Sequence, residues 1–311
     1  MKIHCLGVVV VDALSGPLHR YPVPRVQVQT TTETIRFMPG GCAANTACAL
    51  SKMGLAAGVF SKVGDDPNGA FLIREFQRCG VDTSGLRVAA QDNTPFTFVG
   101  IHPDGDRTFI HTPGANKTFA VDDLDLDLLF AADFLYREDL WVVPGLDGQP
   151  TANLFAEARR RGVITLLDEG WGLGPNRDTL EVILPHCDYV TPSLDDLQAI
   201  YPQTSAAGIA ERLLAGGAGT AVIKMGAQGC LVAQGTNCTR IPALPAKVVD
   251  TTGAGDCWNA GFVAALAYGE DVLTAALIGN AAAAFCIEAI GGSTGIPDYA
   301  TTRQRAMRAQ L

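Results

Sequence analysis

The segment DTTGAGDCWNAG, residues 250–261, combines small residues, hydroxyls and an acid in a spacing that suits phosphate chemistry. An apolar run ends at Asp250, and from Gly253 onward apolar residues such as Trp258 and Phe262 recur at helical spacing. This pattern predicts a strand, a glycine-rich turn and a helix. Because the first turn of a helix exposes backbone N–H groups and glycines let a ligand approach closely, the segment predicts an anion-binding loop.

Asp256 is the one group in this loop that anion binding does not explain. A fixed carboxylate weakens the binding of a phosphate by Coulomb repulsion. Asp also caps helix N-termini, which stabilises a helix by about 1 kcal/mol. Alternatively, it can take the proton of a hydroxyl that attacks a phosphoryl group, which accelerates such a reaction by about 10²- to 10⁴-fold. The local residues leave both interpretations open.

Two common nucleotide motifs are absent from the sequence. A Walker A loop needs Lys and Ser or Thr after its second glycine, and none follows Gly255. A dinucleotide fingerprint needs a third glycine where Trp258 stands, and the glycines of residues 170–175 are also wrongly spaced. These spacings argue against a P-loop NTPase and against a Rossmann dehydrogenase.

The elements that must position the loop alternate along the chain. Strands and helices in alternation predict a mostly parallel sheet covered by helices on both faces. Apolar runs bounded by turn residues, which predict strands, lie at 3–11, 56–63, 140–143, 163–168, 187–190, 220–224 and 229–233. Segments with helical spacing lie at 42–53, 68–79, 151–161, 176–184 and 205–215.

Three early segments have a different pattern. Residues 26–37, 94–101 and 107–112 alternate apolar and polar side chains, which predicts a small antiparallel sheet outside the main one. Such a sheet suits a flap over a site, and an ordinary extension of a sheet edge fits the pattern equally.

Composition excludes several classes of partner. The 311 residues are 48% hydrophobic and 18% charged, and the net charge of -9 repels nucleic acid and anionic membranes. Nine cysteines without a C-x-x-C pair indicate a reduced, cytoplasmic protein. The longest apolar stretch contains Asn280 and Glu288, which favours a buried helix over a membrane span.

Five segments together resemble the ribokinase-like carbohydrate kinases, the PfkB family. The most specific are DTTGAGD, similar to the second family signature, and PGGCAANTACALSKMG at 39–54, similar to the first. The others are GVVVVD at 7–12, KMGAQG at 224–229 and GNAAAAFCIEAIGGSTGIP at 279–297. The resemblance implies a single α/β domain, 1–311. It further implies a ribokinase-like three-layer sandwich around a mostly parallel sheet, with a small antiparallel β lid from about 13–38 and 94–113.

The same resemblance implies an ATP-dependent phosphotransferase that acts on a hydroxyl of a sugar or sugar-like molecule. It assigns Asp256 as the base and the backbone of Gly253, Ala254 and Gly255 as the anion hole for the transferred group. The residues that it implies for the acceptor hydroxyls are Asp12, Gly40, Gly41 and Asn45. Those that it implies for the nucleotide are Lys224, Gly226, Gly229, Ser193 and Asn280.

The resemblance also implies two cations. Family members order Mg²⁺ with an N-x-x-E element, for which this chain has Ser193 and Asp196, so we expect Asp196 to hold Mg²⁺ through water. K⁺ is expected beside the anion hole, at Asp250, Thr252, Cys286, Ala289, Gly291 and Gly295. The segment LLDEGWGLGP lacks the Asn and Arg of many sugar-acid and fructose kinases, so the resemblance does not identify the acceptor.

Two alternative functions stay open. A nucleoside kinase would use the segment 109–116 and lid aromatics such as Phe96 and Phe109 to stack on a base, although these rings can equally form the core of the lid. A non-catalytic sugar or nucleotide sensor would follow if Ser193 and Asp196 had degraded the metal site. The expected partners are a small sugar-like substrate and a second copy of the chain, paired through the lid.

Overall fold

The computed structural model describes residues 1–16, 18, 31–102, 107–170 and 174–308. Residues 103–106, residues 26–30 of the predicted segment 26–37 and residues 171–173 of the glycine-rich segment 170–175 lie outside these ranges. The strands within them are β1 (Lys2–Leu6), β2 (Val10–Gly16), β3 (Thr34–Gly40), β4 (Ala56–Gly64), β5 (Leu86–Ala89), β6 (Phe96–Ile101), β7 (Arg107–Thr112), β8 (Phe134–Leu140), β9 (Ile164–Glu169), β10 (Tyr189–Val190), β11 (Thr220–Lys224), β12 (Cys230–Gln234) and β13 (Asn237–Ile241). The α-helices are α1 (Cys42–Lys52), α2 (Pro67–Arg78), α3 (Leu126–Leu129), α4 (Gln149–Arg160), α5 (Arg177–Glu181), α6 (Leu194–Ile200), α7 (Ala206–Ala215), α8 (Ala254–Ala267), α9 (Val272–Cys286) and α10 (Tyr299–Arg308).

The main sheet has nine strands in the order β13-β12-β11-β10-β9-β8-β1-β4-β5. All neighbouring pairs are parallel except those that β12 makes with β11 and β13. Successive residues of β11 pack into different hydrophobic cores on the two faces of the sheet. Val222 packs with α1, α8 and α9, while Ala221 and Ile223 pack with α4, α6 and α7. The predicted α/β sandwich with a mostly parallel sheet is thereby confirmed.

A second sheet has four strands in the order β3-β2-β6-β7. It is mixed rather than purely antiparallel, because β2 and β6 pair in parallel. The elements β3, α1, β4, α2 and β5 lie between these two strands in the chain, so a long crossover and not a hairpin connects them. The register places Asp12, Thr97 and His111 in one row across this sheet. That the sheet acts as a lid stays a prediction.

Two predicted strands are wrong. The apolar run 140–143 forms none, because β8 ends at Leu140 and Trp141 adopts a positive φ of 74°. The residues before Gly253 are not a strand either, since Val248 and Val249 are exposed. The backbone N–H of Val249 donates to the carbonyl of Ile287 at 2.7 Å, which attaches this segment to the end of α9 instead of to a sheet.

All nine cysteines lie in the described ranges and are free thiols. Among the helices of those ranges, none has both the length and the apolar character that a bilayer crossing requires.

Candidate active site

The glycine-rich loop and α8 form as the sequence predicts from Gly253 onward. Gly253 is the N-cap of α8, with a left-handed φ of 72° and no side-chain capping bond. Asp256 is the third residue of the helix, and its Oδ2 accepts a hydrogen bond from Asn45 Nδ2 at 2.7 Å. The structure therefore does not place Asp256 as the cap. Among the predicted anion-hole groups, the N–H of Ala254 donates to the carbonyl of Thr251 at 3.3 Å.

The surroundings of Asp256 raise the pKa of its carboxyl above the ordinary value. Burial raises the pKa of this carboxyl, while hydrogen bonds from Asn45 and Cys42 and the charge of Lys224 oppose the shift. A carboxylate with a raised pKa is a stronger base than an exposed one, because its affinity for a proton is higher. The geometry and electrostatics suit proton removal from a bound hydroxyl.

Asp12 and Gly40 lie together on neighbouring strands of the second sheet. A Cβ at Gly40 would overlap the carboxylate of Asp12, so only glycine fits beside it. Burial raises the pKa of Asp12 to about 6, and a hydrogen bond with Thr97 partly offsets this. Thr97 Oγ1 is also 3.0 Å from His111 Nδ1, so the row Asp12, Thr97 and His111 is linked by hydrogen bonds.

Asn45 reaches Asp256 because of the way α1 begins. Gly41 precedes the helix with a φ of 90°, and the N–H of Asn45 donates to its carbonyl at 3.0 Å, which closes the first turn. Asn45 is 7% exposed and its amide points at Asp256. The two residues, predicted from distant segments, are thus brought into direct contact.

Phe96 and Phe109, both predicted to bind substrate, lie on opposite faces of the second sheet. Phe109 pairs with Val99, which pairs with Leu14, two residues from Asp12 and so on its face. Phe96 lies in the row of Val11, on the other face, and packs against the main core. Phe109, which is 50% exposed on the face of Asp12, remains a candidate for substrate binding. Phe96 lies on the face opposite Asp12, so the geometry does not support a substrate contact for it.

Two carboxylates at the end of β8 escaped the sequence analysis. Glu138 Oε2 accepts a hydrogen bond from Thr46 Oγ1 at 2.6 Å, and Asp139 Oδ2 accepts one from the N–H of Val8 at 2.8 Å. Burial raises the pKa of Asp139 to about 6, and burial with the charge of Asp256 raises that of Glu138 well above its ordinary value. The charged run YREDL is typical of a surface segment, so only its position at a strand end could have indicated a site.

Lys224, at the end of β11, lies beside the anion-binding loop. A Cβ at Gly255 would be 3.5 Å from its Nζ. The ammonium pairs with Asp168 Oδ2 at 2.5 Å, and both side chains are at most 10% exposed. Burial lowers the pKa of Lys224, but the charges of Asp168 and Glu169 outweigh burial and leave it raised.

The remaining nucleotide-site predictions lie on the turn after β11 and on α9. Gly226 and Gly229 bracket a short turn with φ of 53° and 84°. Asn280 uses both ends of its amide within the protein: Oδ1 accepts from Trp258 Nε1 at 2.8 Å, and Nδ2 donates to the carbonyl of Pro242 at 2.9 Å. Asn280 thus holds the segment after β13 in place, and a polar contact to adenine would have to replace one of these bonds.

The predicted Mg²⁺ residues lie beside further carboxylates. The N–H of Ser193 donates to Glu169 Oε1 at 2.5 Å, and burial and the charge of Asp168 raise the pKa of Asp196. In the described part of the chain, no group of three His, Cys, Asp or Glu side chains has metal-binding geometry. Carboxylate oxygens suit Mg²⁺, which usually keeps several waters and uses substrate phosphates, so Asp196 fits a water-mediated role.

The predicted K⁺ residues converge on one loop. Asp250 Oδ1 accepts from the N–H of Thr252 at 2.9 Å and Oδ2 from the N–H of Gly291 at 2.9 Å. Cys286 Sγ lies 3.3 Å from the carbonyl of Thr252. Ala289 and Gly295 are adjacent, since a Cβ at Gly295 would be 3.0 Å from that of Ala289. Carboxylate and carbonyl oxygens such as those of Asp250 and Thr252 are ligands that suit a monovalent cation, whose presence stays a prediction.

The raised pKa of Asp12 makes a testable prediction about acceptor binding. An ionised Asp12 accepts hydrogen bonds from hydroxyls, and it is protonated as the pH falls through about 6. We therefore expect the acceptor KM to rise by about tenfold per pH unit below that value, because only the ionised fraction binds. Asp12→Asn should bind weakly at all pH values and lose this dependence. A KM that is flat from pH 5 to 8 in the unaltered protein would contradict the assignment.

Comparison with known proteins gives a consistent result. The profile of the pfkB family carbohydrate kinases matches residues 5–299. An uncharacterised sugar kinase from Archaeoglobus fulgidus is 29% identical over 253 residues, which cover 80% of this chain and 98% of that protein. A nucleoside kinase from Methanothermobacter thermautotrophicus is 28% identical over 286 residues, covering 90% and 88%.

A solved structure has the same fold. Ribokinase from Arabidopsis thaliana, complexed with ribose and ATP, superposes with a TM-score of 0.84 at 21% identity and covers 98% of each chain.

Proposed function

Since this chain belongs to the pfkB family of carbohydrate kinases, we propose that it transfers the γ-phosphoryl group of ATP to a hydroxyl of a neutral sugar or sugar-like acceptor. The observation that carries the proposal is the position of Asp256. Its partly buried carboxylate lies in the first turn of α8, beside the anion-binding loop, and is hydrogen-bonded to Asn45 instead of capping the helix.

Each residue has a defined task in the proposed reaction. The acceptor hydroxyl lies against Asp256, which takes its proton as the oxygen attacks the γ-phosphorus and ADP leaves on the opposite side. Backbone N–H groups of the loop 253–255 and the ammonium of Lys224 stabilise the negative charge of the transferring group. Asp12 and Asn45 hold further acceptor hydroxyls and so fix the attacking oxygen in line.

Mg²⁺ would be held by the phosphates of ATP and, through water, by Asp196, and it would neutralise phosphate charge. K⁺ would lie in the loop of Asp250 and Thr252 and support the anion hole.

The acceptor is proposed to be uncharged at the end that reacts. Asp12 and Asp256 supply carboxylates there, and in their ionised forms these accept hydrogen bonds from hydroxyls but repel anions. Arg137, a cation that could otherwise bind a phosphate group of the acceptor, is fully buried and pairs with Asp147 at 3.1 Å. This arrangement disfavours a sugar acid or sugar phosphate whose anionic group lies next to the reacting hydroxyl.

A nucleoside is the second candidate acceptor. Phe109 is half exposed on the face of the second sheet that carries Asp12, and His111 continues the row of Asp12. Both side chains carry rings that can stack on a base attached to a sugar bound at Asp12. The related nucleoside kinase supports the same possibility.

A panel of acceptors tests the proposal. We expect ATP-dependent ADP release with neutral sugars or nucleosides, and a kcat/KM at least about tenfold lower for matched sugar acids and sugar phosphates, because the carboxylates repel them. Hydrolysis of ATP without any acceptor is the control. Preference for an anionic acceptor would contradict the proposed acceptor class, and tight sugar binding without ADP release would favour the sensor.

Self-association through the second sheet is proposed on one observation. Ile35, Phe37 and Ile110 are all more than half exposed and lie on the face opposite Asp12, where a second copy of the chain could cover them.

A further inference from the structure

Asp168 joins four elements of the fold at a single oxygen. It is the penultimate residue of β9 and is 5% exposed. Its Oδ2 accepts hydrogen bonds from Lys224 Nζ on β11 at 2.5 Å, from Tyr136 Oη on β8 at 3.3 Å and from Asn259 Nδ2 on α8. Three donors from three different elements fix the position of this carboxylate.

The carboxylate of Asp168 is hydrogen-bonded both to the helix that carries the proposed base and to Lys224. Asn259 lies one turn after Asp256 on α8, so Asp168 is attached to the helix that carries the proposed base. Lys224 approaches the anion-binding loop, where its Nζ would be 3.5 Å from a Cβ at Gly255. Asp168 thus contacts both the ammonium and the helix that begins at the loop.

Burial makes the placement of this ammonium dependent on its partner. A lysine side chain has four rotatable carbons and presents a point charge, so an unpaired ammonium has no fixed position. Removing one partner of a buried ion pair strongly destabilises the folded protein, because the remaining charge is left uncompensated. Three further carboxyl groups, those of Glu169, Asp196 and Asp256, interact with the charge of Lys224 at longer range. The direct ion pair of Lys224 in the described residues is the one with Asp168.

We propose that Asp168 is a positioning residue that holds the Lys224 ammonium against the 253–255 loop, where it neutralises the phosphoryl group in transfer. The inference rests on the proposed kinase function and adds a residue that neither the family signatures in this chain nor its sequence pattern indicated. Asp168 itself need not touch the nucleotide or the acceptor, because it acts through Lys224.

The first test is Asp168→Asn, which keeps the size of the side chain and removes its charge. We expect kcat to fall about 10- to 100-fold, somewhat less than for outright removal of a transition-state donor, while the acceptor KM stays within about twofold. Lys224→Met should lower kcat further, and the double variant should be no worse than Lys224→Met alone. If the two single effects multiply in the double variant, Asp168 does not act through Lys224.

The matched control is Asp147→Asn. Asp147 also pairs with a buried cation, Arg137, at 3.1 Å, and this pair does not include Lys224 or a residue of the 253–255 loop. Asp147→Asn should lower the melting temperature about as much as Asp168→Asn does, and it should leave kcat unchanged. Equal losses of kcat in both variants would mean that any broken buried pair is harmful and would overturn the proposal.

Asp168→Glu covers the case in which Asp168→Asn does not fold. This variant keeps the buried negative charge and moves it by one methylene. The ammonium of Lys224 therefore remains neutralised but is displaced. We expect a folded protein with kcat lowered at least about tenfold, since a small misplacement of a catalytic group is costly. Unchanged kcat would show that Asp168 serves only to neutralise Lys224.

Nucleotide affinity separates this inference from the proposed function. By calorimetry, Asp168→Asn should weaken ATP binding at least about fivefold and ADP binding less than twofold, because only ATP places a γ-phosphate near Lys224. This comparison needs no turnover. If the unaltered protein phosphorylates no acceptor, the proposed function fails, and equal effects on ATP and ADP would independently overturn the role of Asp168.

Discussion

Asp256→Asn is expected to lower kcat by about 10²- to 10⁴-fold with little change in the acceptor KM, because it removes the proposed base and preserves shape. Asn45 can still form a hydrogen bond to the new amide, so the site should remain assembled. In the unaltered protein we expect kcat to fall as the pH is lowered, and in Asp256→Asn this dependence should be absent. Burial raises the pKa of Asp256, so its ionised fraction falls as the pH is lowered, and the asparagine cannot titrate.

Asp271→Asn is the matched control, since Asp271 is a true cap. Its side chain accepts hydrogen bonds from the N–H groups of Leu273 and Thr274 at the start of α9. Its replacement should leave kcat unchanged and cost at most about 1 kcal/mol of stability, measured by urea unfolding. If Asp256→Asn behaves in the same way, with near-normal turnover, Asp256 is not the base.

Gly253→Ala should have the second largest effect, on both turnover and stability. Gly253 has a φ of 72°, and an added Cβ would be 2.5 Å from the carbonyl oxygen of Gly292. The left-handed backbone alone costs a residue with a Cβ about 1–2 kcal/mol, and the collision must move the loop as well. Since the anion hole is formed by this loop, we expect kcat to fall by about 100-fold or more.

Gly269→Ala separates strain from damage to the site. Gly269 has a φ of 88°, but no atom lies within 4 Å of an added Cβ, and it follows the far end of α8. It should show only the backbone cost in urea unfolding, with normal kcat. If Gly253→Ala lost no more activity than Gly269→Ala, the loop would not be the anion hole.

Much of the fold is readable from the sequence because its elements have strong local signals. Apolar runs such as 220–224 are buried on both faces, and helices such as α2 begin at a cap, Asp66, followed by proline. The pattern fails where tertiary context overrides it. The charged segment YREDL is a buried strand in the middle of the main sheet, whereas the apolar Val248 and Val249 are exposed.

The second sheet shows the same limit. Alternation predicts that residues 94–101 form a strand, but not which neighbour this strand pairs with or in which direction. The parallel pairing of β2 with β6 fixes which side chains share a face with Asp12. It thereby separates Phe109 from Phe96, although the two rings looked equivalent in the sequence.

By itself, the sequence determined the loop at Gly253, the helix that follows it and the family to which they belong, because glycine spacing and helical periodicity are local properties. It left open whether Asp256 caps the helix or removes a proton. Only the tertiary structure placed Gly253 as the cap and set Asn45, from 211 residues earlier, against the carboxylate. It alone brought Asp168 to Lys224, since hydrogen bonds between distant strands depend on the order in which a sheet assembles them.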